Sequence, residues 1–97
     1  MVIRLYATLR QRAGTRDVEV GWRDGASVGD ALHQLLERQP ALEGHIFDPQ
    51  GRVVPYVSVF VDGRDIRYLD GLATLVDEDD EIAVFPPVAG GQSARLG

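Results

Sequence analysis

The chain has 97 residues, enough for one domain with a modest core. Hydrophobic residues at 44% and charged residues at 26% are ordinary globular values and exclude wholesale disorder. The cysteine count of zero removes disulfides, thiolate metal sites and cysteine nucleophiles, and the net charge of −5 argues against a nucleic-acid partner.

No stretch approaches the roughly 18 apolar residues of a membrane span, and Met1-Val2-Ile3-Arg4 opens no signal peptide, so a soluble cytoplasmic protein without a membrane partner is expected. All ten basic residues are arginine. Charge is uneven: residues 1–23 carry +3 and residues 24–97 carry −8, steepest in Asp77-Glu78-Asp79-Asp80-Glu81. That run reads as a solvated turn, with a docking surface for a basic partner as the other reading.

The first element is Val2–Thr8, where Ile3, Leu5 and Ala7 alternate with Arg4, Tyr6 and Thr8 as in a half-buried strand. Gly14 punctuates, and Val18 and Val20 suggest a second strand in a hairpin with the first. Ser27 and Asp30 have the spacing of a capping box, with Asp in place of Glu. Behind them Val28, Ala31, Leu32, Leu35 and Leu36 form one apolar helical stripe, closed by Pro40. This is the one helix the pattern predicts. Residues 41–55 carry Gly44, Pro49, Gly51 and Pro55 with no clean period, a long ordered connection with Ile46 and Phe47 tucked beneath it. Tyr56–Val61 reads as a strand, Asp62-Gly63 as a two-residue turn, and the residues around Ile66 as a short strand. Leu69–Leu75 is irregular, with Leu72 and Leu75 as core plugs, and Glu81–Phe85 is a last strand stopped by Pro86-Pro87. Residues 88–97 have no periodicity and form a tail beyond a domain of residues 1–87.

One amphipathic helix covers one sheet, so a two-layer α+β domain follows; with the first and last strands in the middle it is a β-grasp. Parity then assigns faces. Ile82 and Val84 oppose Ala83 and Phe85, and Val57, Val59 and Val61 oppose Tyr56, Ser58 and Phe60. If the aliphatic faces meet the helix, Tyr6, Tyr56, Phe60 and Phe85, four of the seven aromatic residues, lie on the open face. Such a patch points to a partner unless the 41–55 connection folds over it.

Catalytic chemistry is sparse. His33 and His45 have no ligand-like spacing, so no metal site is expected. There is no phosphate loop or nucleophile elbow, Ser27 serves as a cap, and Ser58 has no evident base. The chain does not read as an enzyme. Gly90-Gly91 follows Pro86-Pro87-Val88-Ala89, and two glycines let an extended backbone enter a channel too narrow for a Cβ. An idle end is the alternative.

The chain resembles the ubiquitin-like sulfur carriers of the MoaD/ThiS type. These include the small subunit of molybdopterin synthase, the thiamine and cysteine-synthesis sulfur carriers and the archaeal small modifiers. The residues that carry the likeness are Ala7 with Leu9-Arg10, Val28-Gly29-Asp30, Pro40-Ala41-Leu42, Val57–Asp65, Asp70-Gly71-Leu72 and Phe85-Pro86-Pro87-Val88-Ala89-Gly90-Gly91. The long connection is most like the cysteine-synthesis carrier and the archaeal modifiers. The resemblance implies a β-grasp and a Gly91 carboxylate activated by a ubiquitin-activating-type adenylating enzyme that uses ATP and Mg²⁺, with no cofactor held permanently by the carrier. A sulfur donor then yields a thiocarboxylate for an acceptor enzyme or a synthase large subunit. It places Phe85 and Tyr6 at the partner interface, and Phe60, Tyr56, Pro86, Pro87 and Val88 are grouped with them. Six residues follow Gly91, so a precursor cut after Gly91 by a zinc-dependent deubiquitinase-like protease is implied. An appended tail or a lineage without carrier function is the alternative. The chain has no lysine, which suits a protein whose own end becomes an acylating group; arginine-favouring codon usage explains it equally. A modifier conjugated to target lysines, a molybdopterin synthase subunit and a plain interaction domain are the competing functions.

Overall fold

A computed structural model describes residues 1–87. The elements are β1 (Val2–Leu5), α1 (Ala7–Ala13), β2 (Asp17–Glu19), α2 (Val28–Arg38), β3 (Ser58–Val61), β4 (Arg64–Asp65) and β5 (Glu81–Phe85), with single 3₁₀ turns at Pro40–Leu42, Ile66–Tyr68 and Gly71–Ala73. The sheet order is β2-β1-β5-β3-β4. β1 and β5 run parallel at its centre, Ile3 beside Ile82 and Leu5 beside Val84, and the other pairs are antiparallel. A mixed sheet with its first and last strands adjacent, packed on a helix, is the ubiquitin-like β-grasp.

The alternation in the strands decides the core. Ile3, Leu5, Val18, Val57, Val59, Val61, Ile82 and Val84 face inward and join Val28, Ala31, Leu32 and Leu35 of α2. Burial of each such side chain is worth about 1.5–3 kcal/mol before the cost of ordering it. Leu36, at the margin of the helical stripe, is half-buried. α2 starts as its sequence demands: the Asp30 N–H donates to Ser27 Oγ at 3.2 Å, and the Ser27 N–H donates to Asp30 Oδ2 at 3.0 Å. Gly29, the second residue of α2, lies against residue 72, where a Cβ would meet the Leu72 carbonyl oxygen at 3.3 Å.

Four local readings need correction. The first strand ends at Leu5, because Ala7 turns to φ 51° and starts α1. Ala7 and Thr8 are therefore exposed helix residues. α1 is only seven residues and buries Leu9 alone, too few apolar positions to show a period; Gly14 at φ 75° closes it. β1 and β2 pair antiparallel as expected, with this helix between them. Second, the strand read as Tyr56–Val61 is β3, Ser58–Val61, because Tyr56 takes φ 73° in the turn before it. Third, the short strand is Arg64–Asp65, and Ile66 opens a 3₁₀ turn with its side chain buried. Fourth, Leu75 is 69% exposed. The Val28 N–H donates to Thr74 O at 2.9 Å and the Val76 N–H to Ala26 O at 3.0 Å, so Thr74 and Val76 turn inward and the residue between them turns out. Leu72 is half-buried against the core.

The connection is ordered, with Ile46 fully buried and Phe47 stacked on His33 at 4.8 Å between centroids. It lies on the helix side and does not line the groove on the open face of the sheet. Trp22 Nε1–H donates to Val76 O at 2.9 Å, and the Gln34 side chain bonds both backbone groups of Gly21 at 2.9 Å. Among the described residues no helix is long and apolar enough to cross a membrane.

The acidic turn is internally organised. Asp62, at φ 49° in the turn before β4, accepts the Glu81 N–H at Oδ1 (2.9 Å), and Asp80 accepts the Asp77 N–H at 2.7 Å. The Glu81 N–H, followed by the bond shared with Asp80, holds the Asp62 carboxyl below its usual value. The Asp77 N–H pulls Asp80 the same way. The facing Asp62 carboxyl, desolvation and the charges of Asp62 and Asp77 outweigh it and raise Asp80.

Ser27→Ala should cost about 1 kcal/mol in urea denaturation with an unchanged m-value. An undiminished midpoint would mean the cap contributes nothing. Because the folded-state pKa of Asp80 is raised, its ionisation weakens the fold at neutral pH, and stability returns as pH falls through that pKa. Asp80→Asn keeps an acceptor for the Asp77 N–H and removes the repulsion. Its melting temperature should exceed the native one by about 2 °C at pH 7, a gap that closes as pH falls into the carboxylate range. A gap that widens on acidification would contradict the assignment.

Candidate functional site

The strand faces turned from α2 carry the side chains that the core does not use. Register sets Ser58 opposite Phe85 and Phe60 opposite Ala83, while the Tyr6 N–H donates to Val84 O at 3.3 Å. This brings three rings together. Tyr6 stacks on Phe85 with centroids 4.2 Å apart and planes 12° from parallel, and Phe60 meets Phe85 edge-on at 5.5 Å and 83°. Such pairs contribute about 0.5–1.5 kcal/mol beyond their buried area. The Phe85 ring is held by its neighbours yet stays 36% exposed.

These rings wall an open groove of about 560 Å³, lined also by Tyr56, Ser58, Ala83 and Pro86, with Gly63 and Glu81 at its far end from Pro86 along the strands. Ala83 was not among the sequence candidates. It lies between Glu81 and Phe85 on the same face, and its small side chain leaves the depression in which the rings stand. Pro86 is buried, Pro87 is exposed, and Tyr56 is 81% exposed. Val88, Gly90 and Gly91 lie outside the described residues. The groove thus lies beside the last described residues of the chain.

Beyond the rings the same face is charged. Arg4 Nε donates to Asp17 Oδ1 at 3.0 Å, and its Nη2 lies 3.5 Å from Glu81 Oε2. The Arg4 hydrogen bond holds the Asp17 carboxyl below its usual value, and Asp17 and then Glu81 raise Arg4. At the other edge Arg67 pairs with Asp65 at 2.7 Å and lowers it, and also reaches Ser58 Oγ at 3.4 Å. Both carboxylates favour the fold above the normal carboxylate range and lose that effect as pH falls through their lowered values. Parity could reveal these charges but not their pairing, which depends on strand order. Ser58 thus contacts a guanidinium, not a base, and among the described residues no three His, Cys, Asp or Glu side chains gather as for a metal. The arrangement suits recognition of another surface, not bond chemistry.

A ubiquitin-like β-grasp domain with an aromatic open face defines a fold and a surface, and the comparisons give the family. The sequence profile described as the ThiS family matches residues 3–91, ending at Gly91. The chain belongs to this family. Small archaeal modifier protein 3 of Haloferax volcanii is 42% identical over 91 residues, covering 92% of this chain and 96% of the relative. The sulfur carrier protein CysO of Mycobacterium tuberculosis strain H37Rv is 29% identical over 69 residues, 69% of this chain and 74% of the relative. The crystal structure of SAMP1 from Haloferax volcanii matches with a TM-score of 0.84 at 37% identity, covering 93% of this chain and 97% of that one. These relatives are small carriers and modifiers, not catalysts.

Phe85→Ala should retain a cooperative unfolding transition and cost about 1–2 kcal/mol in urea denaturation, the loss of one half-exposed ring from two aromatic pairs. A loss above about 3 kcal/mol would identify Phe85 as a core residue and not a surface one.

Proposed function

We propose that this chain is a ubiquitin-like sulfur carrier that works through the Gly91 carboxylate, with the groove around Phe85 as the seat of an adenylating enzyme of the ubiquitin-activating type. The observation that carries this reading is the open aromatic groove ending at Pro86, five residues before Gly91, the second glycine of the diglycine, where the family match stops. Ring anchors beside a side-chain-free segment suit a partner that grips the domain and draws the backbone into a channel.

In this sequence Gly91 is followed by Gln92, so its carbonyl is an amide. A processing protease, of the zinc-dependent deubiquitinase-like class, must add water across that bond and free the carboxylate. A carboxylate is a weak electrophile, and attack by its oxygen on the α-phosphorus of the enzyme's Mg²⁺-bound ATP, with loss of pyrophosphate, gives a mixed anhydride. A persulfide sulfur then attacks the carbonyl carbon and AMP leaves. A thiol cleaves the resulting S–S bond, leaving a thiocarboxylate on Gly91 and a disulfide on the donor side. The sulfur passes to an acceptor enzyme. These steps take place in the cytoplasm.

The 42% identity to an archaeal modifier favours one second reading, in which a target lysine amine attacks the same carbonyl and forms an isopeptide bond. Both share the activation step and diverge at the nucleophile.

Intact mass of the untagged protein from its native cells tests the proposal. The expected species ends at Gly91, part of it heavier by one sulfur-for-oxygen exchange. With the chain ending at residue 91, Gly91→Ala should lower ATP–pyrophosphate exchange by the partner by about 10²-fold, the cost of misplacing a reacting group. A chain found only intact through Gly97, or exchange indifferent to Gly91→Ala, would overturn the reading.

A further inference from the structure

Tyr56 occupies a backbone position that turn chemistry assigns to other residues. The Val57 N–H donates to Val54 O at 3.1 Å, closing a four-residue turn with Pro55 second and Tyr56 third. Tyr56 has φ 73°. Proline followed by a positive φ is the pattern of a type II turn, whose third position favours glycine or asparagine because a larger side chain crowds its own backbone. Among the described residues the other two non-glycine residues with positive φ have local tasks: Ala7 opens α1, and Asp62 binds the Glu81 N–H. The Tyr56 ring, at 81% exposure, has no place in the core.

Its position accounts for it. Tyr56 lines the aromatic groove and also a second groove of about 310 Å³, formed by Val53, Val54, Val57, Ile66 and Leu72 and bordered by Arg52 and Arg67. The second groove is aliphatic within, with Arg52, Arg67 and Asp65 at its edge. Arg67 is engaged by Asp65 at 2.7 Å, whereas Arg52, 78% exposed, makes a longer pair through Nε with Asp48 at 4.0 Å, which a partner carboxylate would compete with.

We propose that Tyr56 is a recognition residue that joins the two grooves into one docking surface: the partner on the aromatic groove continues over the Tyr56 ring, sets an apolar side chain in the aliphatic groove and presents a carboxylate to Arg52. This rests on the adenylating-enzyme reading given above and extends it to a specificity determinant. Strain at an exposed ring is retained where the ring is used outside the folded chain.

The test is binding of the full chain to its adenylating enzyme by calorimetry, with melting of each free variant in parallel. Tyr56→Asn suits the turn and should melt at or about 2 °C above the native protein while binding about tenfold more weakly. Tyr56→Phe should bind within about twofold, because the ring and not the hydroxyl is the anchor. Arg52→Glu should weaken binding severalfold at low salt and less at high salt. Native affinity in Tyr56→Asn, a fall of several degrees in its melting temperature, or no effect of Arg52→Glu would each overturn the inference. Phe85→Ala separates the two readings: if it weakens binding while Tyr56→Asn does not, only the extended surface fails. If neither variant changes binding, the aromatic groove is not the seat of this partner and both fail.

Discussion

The structure depends on the parallel pairing of β1 with β5. Ile3, Leu5, Ile82 and Val84 all have 0% exposure, and they set the two central strands side by side with their aliphatic faces on α2. Because side chains alternate along a strand, that commitment also decides the opposite face. Tyr6, directly after β1, and Phe85, at the end of β5, are turned out together and stack because these two strands are neighbours. A one-residue slip would bury the rings and expose the aliphatic residues, so the buried face enforces the geometry of the exposed one.

The remaining elements stabilise this pair and shape its surroundings. α2 covers the buried face, with the Ser27–Asp30 capping box satisfying backbone groups at its start. The 74–76 segment locks to that start through Ala26 and Val28, and Trp22 ties in from the other side. Charges on the open face are arranged around the rings. Arg4 links β2, β1 and β5 through Asp17 and Glu81, leaving the Phe85 end of the face apolar. Near the start of β5, Asp80 accepts the Asp77 N–H and Asp62 accepts the Glu81 N–H. Their primary structural effect is to build the turn that brings the chain into the last strand.

Family membership and geometry bear on different parts of the function. The match to the ThiS family defines a carrier or modifier class, and the groove gives that class a surface by which a partner can hold it. In the proposed function, the choice between sulfur transfer and conjugation depends on the nucleophile that meets the activated carbonyl, and that nucleophile belongs to another protein. On that proposal the domain's own contribution is recognition and presentation.

The sequence alone determined whatever depends on neighbours along the chain. Period-two alternation in Ile82–Phe85 and Val57–Phe60 assigned the faces, the 3.6-residue stripe from Val28 identified α2, and Ser27 with Asp30 marked its start, because each pattern lies within one turn or one strand. Phe85 and Phe60 were therefore legible as open-face residues before any coordinates. Tertiary structure decided the rest. α1 has one buried residue and depends on its docking by Leu9, not on a period; Leu75 was turned outward by the hydrogen bonds of its neighbours to residues 26 and 28. The salt bridges of Arg4 and the contact between Tyr6 and Phe85 required knowing which distant segments become adjacent. Local patterns specify which way a side chain points, but its neighbours are set by strand pairing, an energy shared between segments almost eighty residues apart in the chain, as Ile3 and Ile82 are.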